Sequence, residues 1–96
     1  MIFLKYKFLK QDRKLYIKSE ELVLGCVEFF EKDDVISINK VVVGESFRGQ
    51  GIANELMKEI VNIAEEESKK ITPICSFAIR WFEKNKNFTY ILQNFK

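Results

Sequence analysis

The sequence predicts an α+β fold: a mostly antiparallel sheet with one parallel strand-helix-strand unit, in the order ββββ-α-β-α followed by a further short helix. Three observations predict it. The first half alternates apolar and polar residues, as strands do. The pattern then switches to helical spacing, with Ile52, Leu56, Ile60 and Ile63 on one face. A short run, Ile71–Cys75, follows that helix and makes a crossover, which is right-handed and sets its two strands parallel.

Each element has its own signal. Ile2, Leu4, Tyr6 and Phe8 alternate with Phe3, Lys5 and Lys7, and Gln11-Asp12-Arg13 reads as a turn. Leu15 and Ile17 alternate with Tyr16 and Lys18 until Ser19-Glu20-Glu21 breaks the strand. Leu22–Phe30 and Val35–Val43 are rich in strand formers, joined by the polar loop Glu31-Lys32-Asp33-Asp34. Gly25 marks a bulge within its strand. The long helix is expected from Gly49 or Gln50 to Lys69, with Lys69 and Lys70 against the negative end of its dipole. Pro73 removes a ladder donor, so Ile71–Cys75 belongs at an edge or a splayed position. Phe77–Lys84 reads as a second helix and Phe88–Leu92 as a short third one.

Length and composition bound the function. Ninety-six residues fit one domain, 1–96, and the 47% apolar content supplies a single core. A net charge of +2 with scattered lysines falls short of the basic excess of a dedicated nucleic-acid binder. No stretch approaches the length needed to span a bilayer, and Met1-Ile2-Phe3-Leu4 is too short for a secretory signal. Cys26 and Cys75 form neither a disulfide framework nor a metal knuckle, and with no His the commonest metal ligand and general base are both missing. No metal site is expected, and the default location is the cytoplasm, with reduced thiols.

The loop Ser46-Phe47-Arg48-Gly49-Gln50-Gly51-Ile52-Ala53 lies between a strand and the long helix. A helix start offers backbone N–H groups without intrahelical partners and the positive end of the dipole, which together favour an anion. Gly49 and Gly51 allow a phosphate to approach the backbone, and Arg48 supplies a cation. The simpler reading is a strand-to-helix turn in which the glycines only satisfy φ. The glycine spacing alone gives the two readings about equal weight.

Arg48-x-x-Gly51-x-Ala53, after a strand and opening an amphipathic helix, resembles the cofactor motif of the GNAT acetyltransferases, Arg/Gln-x-x-Gly-x-Gly/Ala. Ala78-Ile79-x-x-Phe82-Glu83-Lys84 followed by Phe88 is similar to a later GNAT helix. Pro73-Ile74-Cys75-Ser76-Phe77 resembles the Pro-x-Cys-x-aromatic segment of a short GNAT-like subfamily. The likeness runs from about Leu22 to Leu92. It implies a GNAT-like fold, acetyl-CoA or coenzyme A as cofactor, and an amine acceptor, small molecule or protein, with neither nucleic acid nor membrane as partner. The implied cofactor contacts are Val41, Val43, Arg48, Gly49, Gln50, Gly51, Ile52 and Ala53, and the implied catalytic residue is Cys75. Two positions depart from the pattern. Phe82 stands where many GNAT enzymes have a Tyr able to protonate the departing thiolate, and Lys40-Val41 stands where the short subfamily often has His-Thr.

Cys75 also precedes a predicted helix, whose start favours the thiolate. Against that, free cysteines often pack as small hydrophobes. Cys26, mid-strand, reads as packing. Trp81, Phe82, Phe88 and Phe95 read as core before they read as a base-stacking surface, and Glu65-Glu66-Glu67 as a solvated helix face. Glu28, Glu45 and Lys40 are candidate proton acceptors or substrate contacts that no spacing separates. The function implied is acetyl-CoA-dependent N-acetyl transfer; the alternatives are a non-catalytic coenzyme A-binding module and, more remotely, a small nucleic-acid interaction protein.

Overall fold

A computed structural model describes residues 5–93. Five strands form one mixed sheet in sequence order: β1 (Lys7–Gln11), β2 (Lys14–Ser19), β3 (Leu22–Lys32), β4 (Val35–Val43) and β5 (Lys70–Pro73). The first three pairings are antiparallel and β4–β5 is parallel. Helix α1 (Ile52–Glu66) makes the crossover and α2 (Ser76–Lys84) follows β5. The α+β order read from the sequence is therefore the one the chain adopts.

Three two-residue loops join the meander. Asp12-Arg13 closes the Gln11–Lys14 pair, Glu20-Glu21 the Ser19–Leu22 pair and Asp33-Asp34 the Lys32–Val35 pair. Both Asp33 (φ 53) and Asp34 (φ 63) are left-handed, as a tight hairpin following the twist of the strands requires. The loop expected over Glu31–Asp34 is thus shorter, and β3 runs on to Lys32. The strand expected from Ile2 begins at Lys7; Ile2, Phe3 and Leu4 lie outside the described residues.

Two bulges shape the sheet. Leu24 is the extra residue of β3, so the bulge sits beside Gly25, which is itself paired. Gly25 serves a different need: a Cβ there would lie 2.8 Å from the Val42 carbonyl oxygen and 3.1 Å from Leu56 Cδ1, so its bareness lets α1 press on the sheet. Asn39 is the extra residue of β4. It shifts the side-chain alternation by one, so Ile36 and Ile38 before it and Val41 and Val43 after it share a face.

The core fills the space between that face and α1. Leu15, Ile17, Val27, Phe29, Ile36, Ile38 and Ile71 from the sheet meet Ile52, Leu56, Met57 and Ile60, each no more than 2% exposed. Trp81, Phe82 and Ile91 extend the same cluster, so the aromatic residues are core; Phe95 lies outside the described residues.

The long helix is shorter than expected at both ends. At its start, residues 49–51 are taken up by the loop. At its end, Ser68 turns left-handed (φ 57), and the N–H groups of Ser68 and Lys69 return to the carbonyls of Glu65 and Ala64, a Schellman closure. Lys69 and Lys70 therefore lie beyond the helix. Lys69 bridges Glu31 (3.1 Å) and Glu67 (3.0 Å), and Lys70 begins β5. The third helix is not α but 3-10, over Lys86–Ile91; eclipsed turns of this kind are common in short connectors. It leads Leu92 into a parallel bridge with Ile71, partly covering the outer edge of β5.

Candidate functional site

β4 and β5 separate where the crossover returns. Their pairing ends at Ile38–Pro73, and β4 continues to Val43 with no strand beside it on that side among the described residues. Pro73 has no N–H to extend the ladder. The next two N–H groups, of Ile74 and Cys75, converge on one acceptor, the Ile38 carbonyl, at 2.9 and 3.2 Å. The splay expected from Pro73 is thus built at a single carbonyl.

Past Val43 the chain turns through a 3-10 helix, Glu45–Phe47, into the glycine loop. Gly49 (φ 82) and Gly51 (φ 81) are both left-handed. A Cβ on Gly49 would meet no atom within 4 Å, so open space lies over the backbone there. Gly51 caps α1 with no side-chain hydrogen bond, and the first helical bond comes from Glu55 N–H to the Gly51 carbonyl (3.1 Å). Among the described residues, the first-turn N–H groups of this 15-residue helix thus have neither an intrahelical nor a side-chain acceptor. Arg48 Nε donates to the Val43 carbonyl at 3.3 Å, which ties the guanidinium to the end of β4.

These elements line a cleft of about 300 Å3 whose walls include Val43, Phe47, Arg48, Gly51, Ala53 and Phe77. Ile52 and Gly49 line it too. Of the residues singled out in the sequence, Val43, Arg48, Gly49, Gly51, Ile52 and Ala53 come together there. Val41, Gln50 and Cys75 stand outside the lining.

Cys75 is the N-cap of α2, and its Sγ accepts the Ala78 N–H at 3.5 Å. It is half-buried, two residues before Phe77, at the point where β5 leaves β4. Cys26 is also half-buried but lies on the opposite sheet face. Burial pushes its thiol up, and Glu28 adds to the shift. The other candidates are dispersed. Glu28 and Lys40 are paired across β3 and β4 on that opposite face, and Glu45 is exposed in the 3-10 turn. Phe82 is 3% exposed and packs edge-on against Trp81.

Sequence reading missed one residue of this region. Asn54, in the first turn of α1, accepts a hydrogen bond from Trp81 Nε1 at 2.8 Å and so joins the cleft to α2. A buried Trp needs an acceptor for its N–H, but nothing in the spacing names which one.

A family model described as a GCN5-related N-acetyltransferase matches residues 14–91. The chain belongs to the GCN5-related N-acetyltransferase family. This GNAT domain is similar to a GCN5-like candidate N-acetyltransferase from Staphylococcus aureus solved by NMR, with 27% identity and a TM-score of 0.74. That match covers 94% of this chain and 90% of the other. The ribosomal-protein-S18-alanine N-acetyltransferase of Escherichia coli shares the fold at 12% identity and TM-score 0.66, over 79% of this chain and 54% of that one. The PaiA N-acetyltransferase of Thermoplasma acidophilum, solved in complex with coenzyme A, does so at 13% identity and TM-score 0.63, over 75% and 48%. The chain spans about half the length of these last two. No curated protein matched the sequence. Among the described residues, no helix of the GNAT domain is long and apolar enough to cross a membrane.

Proposed function

We propose that this GNAT domain binds acetyl-CoA in the cleft at the start of α1 and transfers the acetyl group to an amine. The observation that carries the reading is the pair of left-handed glycines opening an uncapped helix. Gly49 has open space over its backbone, and the first-turn N–H groups lack acceptors, so the donor set suits a pyrophosphate. Arg48 adds a cation beside it. The coenzyme A complex of the Thermoplasma protein, which shares the fold, supports the choice of ligand.

In this reading Arg48 and the N–H groups following Gly51 hold the phosphates, while Val41 and Val43 present the unpaired edge of β4 to the rest of the cofactor. Bound acetyl-CoA supplies an activated thioester carbonyl. Cys75, at the apex of the splay, stands at the reactive end. As a nucleophile its thiol would pass its proton to water and bond the acetyl carbon as the carbon–sulfur bond to coenzyme A breaks; the acceptor amine would then displace the Cys75 thiolate, which takes up the proton the amine loses. Phe82 is buried and has no hydroxyl, so protonation of the departing thiolate falls to water or to the amine's own proton. That same buried Phe82 favours the second reading, a coenzyme A-binding module without turnover.

Calorimetry with coenzyme A and turnover by the Cys75→Ala variant test both readings. Retained binding with lost transfer supports the enzyme with Cys75 at its centre. Binding without transfer by the unmodified protein, across a panel of amines, supports the module. Normal turnover by Cys75→Ala removes the cysteine and leaves direct attack by the amine.

A further inference from the structure

The sheet has a second face, opposite α1, and no strand residue on it is buried. Strand register places Leu9, Tyr16, Cys26 and Val42 in one row across β1 to β4. Leu9 is 42% and Val42 39% exposed, and Phe30 nearby is 46% exposed. An apolar row of this kind on an open face is a candidate contact surface.

Charge surrounds the row unevenly. Alternation along the strands puts Lys7, Lys14, Lys18, Lys32 and Lys40 on this face, and Arg13 lies over the Phe30 ring at 4.8 Å. Glu28 is the one carboxylate among the face's strand residues. On β1 to β4 five lysines thus share the face with one carboxylate, and the β1–β2 turn adds one charge of each sign, Arg13 and Asp12, while the protein as a whole carries only +2. A hollow of about 640 Å3 at the β1–β2 turn, lined by Gln11, Asp12, Arg13, Lys14 and Tyr16, deepens the same surface.

We infer that this face docks the acceptor: an extended protein segment with acidic residues flanking apolar ones, whose amine is carried to the splay between β4 and β5. Three features select that occupant. The cation excess calls for carboxylates. The row holds two aliphatic residues and Cys26 beside a single aromatic, Tyr16, so it suits Leu or Val side chains better than a run of stacked bases. A second copy of the chain would bring one cationic face onto another. Val42 and Lys40 also lie on the free limb of β4, so a segment seated on the row reaches the splay without crossing an edge. The assignment rests on acetyl transfer at the cleft and names the acceptor class for it.

The test uses the full chain and a soluble peptide rich in Glu with interspersed Leu and a free N-terminal amine. Titration followed by backbone NMR is expected to perturb Leu9, Tyr16, Cys26 and Val42 and to weaken with added salt. The double variant Lys14→Glu, Lys18→Glu is expected to weaken peptide binding roughly tenfold or more while leaving coenzyme A affinity unchanged. Equal binding of a Lys-Leu peptide, perturbation confined to another surface, preference for a single-stranded oligonucleotide, or a dimer formed through this face would each overturn the proposal. Coenzyme A calorimetry on the same samples reports the cleft separately, so loss of that reading and loss of this one are distinguishable.

Discussion

The antiparallel meander β1–β4 and the crossover from β4 through α1 both turn through left-handed backbone, but with different residues. The meander closes its three two-residue loops with Asp12, Glu20, Asp33 and Asp34 at positive φ, and the end of α1 uses Ser68. The loop before α1 uses Gly49 and Gly51 in the same region of backbone space. Positive φ therefore does not by itself explain glycine in this chain, because five other positions meet it with side chains attached. What distinguishes 49 and 51 is that they open a cleft at a helix start; in the proposed coenzyme A site a side chain there would stand between the backbone donors and the phosphates.

The largest effect is expected at the seam between the two regions. Leu56 is fully buried and lies against the sheet at Gly25. Leu56→Ala is expected to cost about 2–5 kcal/mol in denaturant melts, a large share of what a domain this size holds. A loss under about 1 kcal/mol would mean that the helix and meander are not joined there.

A smaller effect is expected at Ser68. If its left-handed conformation is tolerated strain, Ser68→Gly stabilises by about 0.5 kcal/mol, the relief of a left-handed side chain less the added freedom of the unfolded glycine. Destabilisation would show that Ser68 contributes more than its conformation.

The smallest effect belongs to the ion cluster where the end of α1 meets β3. The Lys69 ammonium holds the Glu67 carboxyl below its ordinary value of 4.5. A carboxyl with a depressed folded pKa stabilises above the unfolded value, and that contribution disappears as pH falls through the folded one. Stability should therefore decline below about pH 4.5, and Lys69→Met should flatten that decline. An unchanged pH profile in the variant would show that the exposed cluster contributes nothing measurable.

Much of the fold was legible because its signals are local. β4 has the bounds that its β-branched run implies, and the meander's turns fall where polar pairs interrupt alternation. The helix ends were misjudged because periodicity continues past the residues that stop it: a left-handed Ser68 carries no sequence mark, and the glycine loop merges into the apolar stripe. The Asn39 bulge, which brings Val41 and Val43 onto the inner face, depends on cross-strand register and leaves no pattern in one strand. At the site, glycines, Arg48 and Cys75 were visible as residue types in order. That Arg48 ties back to Val43, that Ile74 and Cys75 share the Ile38 carbonyl, and that Asn54 holds Trp81 are tertiary facts with no spacing to announce them.

The most direct test of the central claim is the coenzyme A affinity of Gly49→Asn beside Asp34→Gly. Asn tolerates the left-handed region, and the space over Gly49 is open, so the folded protein should lose no more than about 1 kcal/mol. With the phosphates over this loop, Gly49→Asn is expected to lower affinity about tenfold or more, as a side chain entering the phosphate's place would. Asp34→Gly, at the same backbone conformation in the meander, leaves affinity unchanged. Full affinity in a folded Gly49→Asn variant would mean that the glycine serves only the turn and that the phosphates bind elsewhere.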